Sequence, residues 1–347
     1  MQAHEVGANV NKARLREVLD RLPSLRVAVV GDFFLDKYMV VAPELAEVSL
    51  ETGLEARQVV EIRCSPGAAG TVTSNLAAVG VGRLEAIGVI GDDGQGYELR
   101  RGLVEGGVGV ESLRNAPGRF TPTYTKPMRR DMGGETEMER LDIKNRTPMP
   151  PEIEDWLIAE VRRVAISERF DAVMLADQVQ ERNCGAVTDR VREEVSRIAT
   201  TARTLFFADS RVRIGEFRDV IVKPNACEAA AAMGFRGQGE PSLEETASFG
   251  RALARRNRRP VFITLGALGM MACSSDECVP VPALPLRGPI DIVGAGDSAS
   301  VGIACALCAG ATLEEAAELG NLCASVTIHK LGTTGTASPA ELLALLD

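Results

Sequence analysis

Residues 291–310 read "DIVGAGDSASVGIACALCAG", an acid behind two glycines at the mouth of an almost wholly apolar run. Gly294 and Gly296 allow a tight turn and close approach of a ligand to the backbone. The free N–H groups and dipole of a helix start favour an anion there. Asp297 would repel an anion at rest. The arrangement makes chemical sense if the anion is a phosphoryl group in transit and Asp297 takes a proton from its acceptor. With an unperturbed pKa of ~3.9, an Asp is ionised and available near neutral pH. The competing reading is a helix cap, a common use of Asp.

Other chemistries fit less well. "GAGDSA" has the form G-x-G-x-x-A of a dinucleotide loop. It comes late in the chain, after a weak strand ("GPIDIV"), and about 20 residues on lies a helix rather than a strand end. A Walker A loop is excluded, because none of the six Lys precedes Ser or Thr. Cys305 and Cys308 form a C-x-x-C, with Cys273 and Cys278 upstream, so zinc must be weighed. The pair lies in an apolar helical run, and the eight Cys read as small buried hydrophobes rather than as metal ligands or a disulfide framework. His4 and His329 are too far apart for a local motif.

The elements that must position Asp297 follow from pattern. Apolar runs closed by Gly, Asp, Asn or Pro recur at 27–32, 84–93, 171–177, 204–210, 220–225 and 261–266. Continuous apolarity suits strands buried on both faces of a parallel sheet. Helical patterns such as "NCGAVTDRVREEVSRIATTA" and "SLEETASFGRALARRN" lie between them. The expected fold is therefore α/β, a doubly wound and mostly parallel sheet flanked by helices, with ligands beyond the carboxyl ends of strands. Asp32, Asp92, Asp177, Asp209 and Asn225 stand at such ends. Stretches within about 37–64 and 119–143 alternate more and predict a small β-sheet lid inserted into a single domain, 1–347, with a hairpin turn at Gly133–Gly134. Leu15, Val18, Leu19 and Leu22 predict an amphipathic N-terminal helix, and Thr312 with Glu315 a capping box.

Composition bounds the partners. A formal charge of −9 and 45% hydrophobic residues argue against a nucleic-acid surface and allow a sizeable core. No stretch reaches the ~18 apolar residues of a membrane span, and the polar N-terminus is unlike a signal peptide, so a cytoplasmic protein is expected.

"DIVGAGD" resembles the C-terminal signature of the ribokinase-like (PfkB) carbohydrate kinases, commonly D-T-V-G-A-G-D, with Ile292 in place of Thr. "VAVVGDFFLDKY", "SPGAAGTVTSNLAAVGVG", "GVIGDDGQG", "KPNACEA", "FITLGALG" and "LGNLCASVTIHKLGT" are similar to successive motifs of that family. The pattern is most similar to the bacterial heptose-phosphate kinases. The resemblance implies that Asp297 is the base and that the amides of Gly294, Ala295 and Gly296 hold the transferring phosphoryl. It implies nucleotide contacts from Lys223, Asn225, Glu228, Thr264, Gly266, Gly269 and Asn321, with Glu228 serving Mg²⁺ through water. Asp32, Asp36, Gly67, Thr71 and Arg140 would face the acceptor. ATP and Mg²⁺ are the implied cofactors, with a monovalent cation such as K⁺ a further expectation, and a homodimer through the lid.

Departures concern the acceptor side. The family's Gly-Gly and Asn become Gly67-Ala68 and Thr71, and Thr lacks the amide's paired donor and acceptor. After Asp177 stands "QVQER" instead of a glycine-lysine segment. Lys37, Lys126, Arg129 and Arg140 in or beside the lid suit a phosphorylated sugar. The expected activity is phosphorylation of a sugar or sugar-phosphate hydroxyl. The alternatives are a nucleoside kinase of the same fold, which needs an aromatic shelf, and a weakly catalytic sugar- or nucleotide-binding regulator.

Overall fold

Along the strand Arg26–Gly31, Val27 and Val29 pack into one apolar cluster and Ala28 and Val30 into another. Ala172–Asp177 divides in the same way: Met174 joins the first cluster, Val173 and Leu175 the second. Side chains alternate across a strand, so a strand covered on both faces reads as one unbroken apolar run. The computed structural model describes residues 11–131, 134–237, 239–285, 288–332 and 334–346. His4 and Gly133 lie outside them.

The main sheet runs, from one edge, Cys278–Val281, Met270–Cys273, Val261–Thr264, Ile221–Val222, Leu205–Ser210, Ala172–Asp177, Arg26–Gly31, Arg83–Ile90 and Val108–Gly109. Pairing along this order is parallel except at the first edge, where Met270–Cys273 runs antiparallel to both Val261–Thr264 and Cys278–Val281. This is the α/β fold expected from the sequence. Helices cover both faces, among them Asp189–Thr201, Leu243–Asn257, Ala295–Cys308 and Leu313–Ile328. The run at 220–225 is a strand for only two residues, because Pro224 cannot donate to the ladder and Asn225 caps the next helix. Thr312 and Glu315 form the expected capping box. Leu15, Val18 and Leu19 are buried on the helix Lys12–Leu19.

A second sheet stands beyond the carboxyl end of the first, in the order Gly134–Glu137, Thr123–Asp131, Phe33–Val41, Val59–Ala68, with Leu141–Ile143 also on Thr123–Asp131. Only Asp32 separates the main-sheet strand Arg26–Gly31 from the second-sheet strand Phe33–Val41.

The cysteines behave in two ways. Cys305 and Cys323 are buried and free, and Cys308 is partly buried. Burial pushes the Cys323 and Cys308 thiols up to about 12, so they act as small hydrophobes. Cys273 and Cys278 do not: they face each other across the edge hairpin and form a disulfide. Among the described residues no group of three or more His, Cys, Asp or Glu is placed to hold a metal.

Candidate active site

Residues 288–294, which lead into the helix Ala295–Cys308, form no strand, which removes the dinucleotide-loop reading. Gly294 is the cap residue, at φ +80°, and no side chain caps this end. A Cβ on Gly294 would meet the Thr334 methyl at 2.7 Å and the Thr71 methyl at 3.8 Å. Asp297 occupies the third helical position, so it is not the cap. The Ala295 amide donates to the Ile292 carbonyl at 3.2 Å, and no side chain caps the amides that follow it, which face the position an anion would take.

Asp297 does not keep its free-solution pKa. Burial and then the nearby Asp209 carboxylate push it up to about 7, against the pull of Lys223 and Arg211. Ionisation near neutral pH is thus balanced, not assured as the unperturbed value suggests.

Lys223 follows the strand Ile221–Val222, is buried, and places Nζ 3.0 Å from Asp209 Oδ2. Burial works against its charge, but Asp209 outweighs it and the ammonium's pKa is raised. The same Nζ lies 3.6 Å from where a Cβ of Gly296 would stand, which ties Lys223 to the glycine loop. Ser300 Oγ, one turn into that helix, donates to Asp209 Oδ2 at 3.3 Å. Asp209 was legible only as a strand-end acid, and the structure makes it the group shared by Lys223, Ser300 and, through space, Asp297 and Glu228.

Asn225 and Glu228 cap the helix Ala226–Ala232 reciprocally: Asn225 Oδ1 accepts from the Glu228 amide and Glu228 Oε2 from the Asn225 amide, both at 2.8 Å. Burial and the Asp209 charge raise the Glu228 pKa, while Lys223 and Arg211 lower it. Asp209 and Glu228 offer hard oxygen ligands without forming a complete protein cage. Such a donor set fits Mg²⁺, which keeps waters and shares substrate phosphates.

A cavity of about 350 Å³ lies on one side of the glycine loop. Thr264, Gly266, Gly269 and Asn321 line it together with Ala295 and Gly296. Gly269, at φ +95°, lets the backbone pass Val281, whose carbonyl oxygen would be 2.2 Å from a Cβ. Asn321 Nδ2 donates to the carbonyls of Val281 and Pro282, at 3.0 and 3.2 Å, and so fixes the cavity's far wall.

A second cavity, about 170 Å³, lies under the second sheet. Asp32, Phe34, Tyr124, Arg140, Arg211 and the 178–186 segment are among its walls. Asp36 is partly buried, with its pKa raised by burial and lowered by Lys126 and Arg140. A Cβ on Gly67 would lie 2.4 Å from Asp36 Oδ2, so the glycine makes room for that carboxylate. Thr71 is buried in the helix Ala69–Val79, and Asp36, Gly67 and Thr71 are all absent from the residues lining this cavity. Arg140 pairs with Asp142 through two hydrogen bonds, 2.8 and 2.9 Å, and lies 4.6 Å from the Tyr124 ring centre.

Of the four lid cations, only Arg140 lines the cavity. Lys126 shares the Asp36 face of the sheet but turns to the Tyr38 ring, 4.9 Å away. Lys37 and Arg129 are displaced from the Asp36 face by the two-residue period. Arg119, Lys144 and Arg211 line it instead. Nothing in their sequence spacing singles them out. Arg211 is the most telling, because it also acts on the ionisation of both Asp297 and Glu228.

The chain is similar to known proteins over most of its length. The bifunctional protein HldE of Trichlorobacter lovleyi is 29% identical over 341 residues, 97% of this chain and 66% of the relative. HldE of Desulfatibacillum aliphaticivorans is 30% identical over 93% of the chain and 63% of the relative. The chain thus spans slightly less than two thirds of these relatives' length. Among solved structures, Arabidopsis thaliana ribokinase complexed with ribose and ATP superposes with a TM-score of 0.68 at 17% identity, over 93% of this chain and 99% of that one. Escherichia coli phosphofructokinase-2 in complex with potassium gives 0.70 at 17%, again over 93% and 99%. The pfkB family carbohydrate kinase model matches residues 27–341, nearly the whole chain, and the protein belongs to that family of carbohydrate kinases.

Proposed function

We propose that this kinase transfers the γ-phosphoryl group of ATP to a hydroxyl of a sugar or sugar phosphate, with Asp297 as general base. The observation that carries the reading is the helix start between two cavities. Ala295 and Gly296 border the larger one, while Asp297 responds to Arg211 and Asp36 on the acceptor side. The acceptor oxygen attacks γ-phosphorus as its proton passes to Asp297, and the bond to the ADP oxygen breaks. The amides of Gly294, Ala295 and Gly296 stabilise charge on the transferring group. A pKa of about 7 suits a base working near neutrality.

Thr264, Gly266, Gly269 and Asn321 would bound the nucleotide, with Lys223 and Asn225 toward its phosphates. Mg²⁺, bound through water to Glu228 and beside Asp209, would neutralise phosphate charge. Asp36 would accept from acceptor hydroxyls. Arg140, Lys144 and Arg211 give the acceptor cavity a cationic rim suited to a phosphorylated sugar. The second sheet would act as a lid that excludes water. Its outer face exposes Ile62 and Leu141, which a second copy would cover in a homodimer. We treat residues 1–347 as one kinase unit. Among the described residues no helix is long and apolar enough to cross a membrane, and a cytoplasmic site suits ATP use.

A nucleoside acceptor is the second reading, favoured by the edge-to-face pair Phe34–Tyr124, with ring centres 5.2 Å apart at the cavity wall. Arg140 already covers a face of Tyr124, which favours the sugar. An ATP-consumption screen across sugars, sugar phosphates and nucleosides decides. Turnover of a sugar or sugar phosphate supports the proposal, and turnover of nucleosides alone overturns it. Stabilisation by ligands without any turnover would leave a binding regulator.

A further inference from the structure

We infer that Asp32 is a positioning residue whose carboxylate fastens the 178–186 segment as a wall of the acceptor cavity. The inference rests on reading that cavity as the acceptor site. Asp32 is only 5% exposed. Its Oδ2 accepts from the amides of Gln178 and Val179, at 2.8 and 3.0 Å, and its Oδ1 from Ala186 at 2.7 Å. Both ends of the segment therefore converge on one carboxylate. Three N–H donors use most of the lone-pair capacity of a carboxylate. Little remains for an acceptor hydroxyl.

The chain around Asp32 is shaped for this contact. A Cβ at Gly185 would lie 2.6 Å from Asp32 Oδ1, so glycine is what allows the approach. The Asp32 amide donates to the Ala176 carbonyl and its own carbonyl accepts from Ala69, at 3.1 and 3.0 Å. Asp32 thus ties together a main-sheet strand, the start of the helix Ala69–Val79 and the entry to the second sheet.

The segment is held from its other side too. Buried Arg213 donates to the carbonyls of Gln180, at 3.0 Å, and Val179, while pairing with Asp177 at 3.0 Å. Arg119 donates to the Cys184 carbonyl. Most of residues 178–186 face the cavity, and "QVQER" begins there. The wall is thus carried on a fixed frame of buried charges.

Asp32→Asn tests the inference in the full chain. Asn keeps one acceptor oxygen and turns an NH₂ toward amides that Asp32 serves, so at least one loses its partner. Amide hydrogen exchange of the ligand-free protein, followed by peptide, should rise at least tenfold across 178–186 and stay unchanged elsewhere. With the sugar or sugar phosphate turned over in the screen, the acceptor KM should rise at least tenfold, with kcat within threefold and the ATP KM unchanged.

Unchanged exchange overturns the inference, whether the acceptor KM rises (direct contact with acceptor) or not (no role). If exchange rises throughout, Gly185→Ala decides, since it displaces the contact and keeps the charge. A local rise across 178–186 supports the inference and unchanged exchange overturns it. The exchange readout needs no turnover, so failure of the kinase reading is seen separately, as an empty screen.

Discussion

Replacing Gly67 by Ala should uncouple acceptor binding from nucleotide binding. The added Cβ would lie 2.4 Å from Asp36 Oδ2 and 3.0 Å from its Cγ, where ordinary contacts begin at 3.4 Å. Gly67 is not at a positive φ, so Ala fits the backbone and the strain falls on the short Asp36 side chain. The carboxylate must retreat by about 1 Å, a displacement of the size that can cost on the order of 100-fold when it affects a reacting group's position. A hydrogen bond to a charged group contributes ~1.5–3 kcal/mol. At ~1.4 kcal/mol per factor of ten, its loss corresponds to roughly a 10- to 150-fold rise in acceptor KM. Steady-state kinetics varying acceptor and ATP separately provide the assay, with a thermal melt to confirm that the variant folds. An acceptor KM within twofold of the parent, in a folded variant, would refute the role given to Asp36. A rise confined to the ATP KM would refute it equally.

Two further substitutions probe the frame and the charge balance. Ala68 takes φ +53° and ψ −115°, a conformation that favours glycine. Relief of ~1–2 kcal/mol, less ~0.5–1 kcal/mol for glycine's freedom in the unfolded chain, predicts that Ala68→Gly stabilises by ~0.5–1 kcal/mol. Urea unfolding should show a higher midpoint at constant slope, and a lower midpoint contradicts it. Lys223 lowers the Asp297 pKa, so Lys223→Met should raise it and move the acid limb of kcat/KM to higher pH. A limb unmoved or shifted down contradicts that coupling. The orphaned Asp209 should also destabilise the fold, by up to ~3–5 kcal/mol.

The sheet was legible because burial on both faces leaves a mark in every residue of a strand, as at "VAVVGD" and "DAVMLAD". The glycine loop was legible because its chemistry lies within seven consecutive residues. The protonation of Asp297 was not, since it depends first on burial and then on Asp209 and Lys223, which only the folded sheet brings near. Arg119, Lys144 and Arg211 were missed for the same reason: cations scattered over nearly 100 residues carry no local pattern. Ala68 hides its backbone angle behind an ordinary residue type. Cys273 and Cys278 read as hydrophobes one at a time, and their pairing follows from the register of an edge hairpin.

The most direct measurement is the pH dependence of turnover in the parent and in Asp297→Asn, with the acceptor found in the screen. Because the base must be unprotonated, kcat/KM of the parent should fall as pH drops through about 7. The Asn variant should bind ATP normally and lose ~10²–10⁴-fold in kcat, the usual contribution of general base catalysis. Turnover in the Asn variant near the parent's rate, with the same acid limb, would contradict the assignment of Asp297 as the proton acceptor.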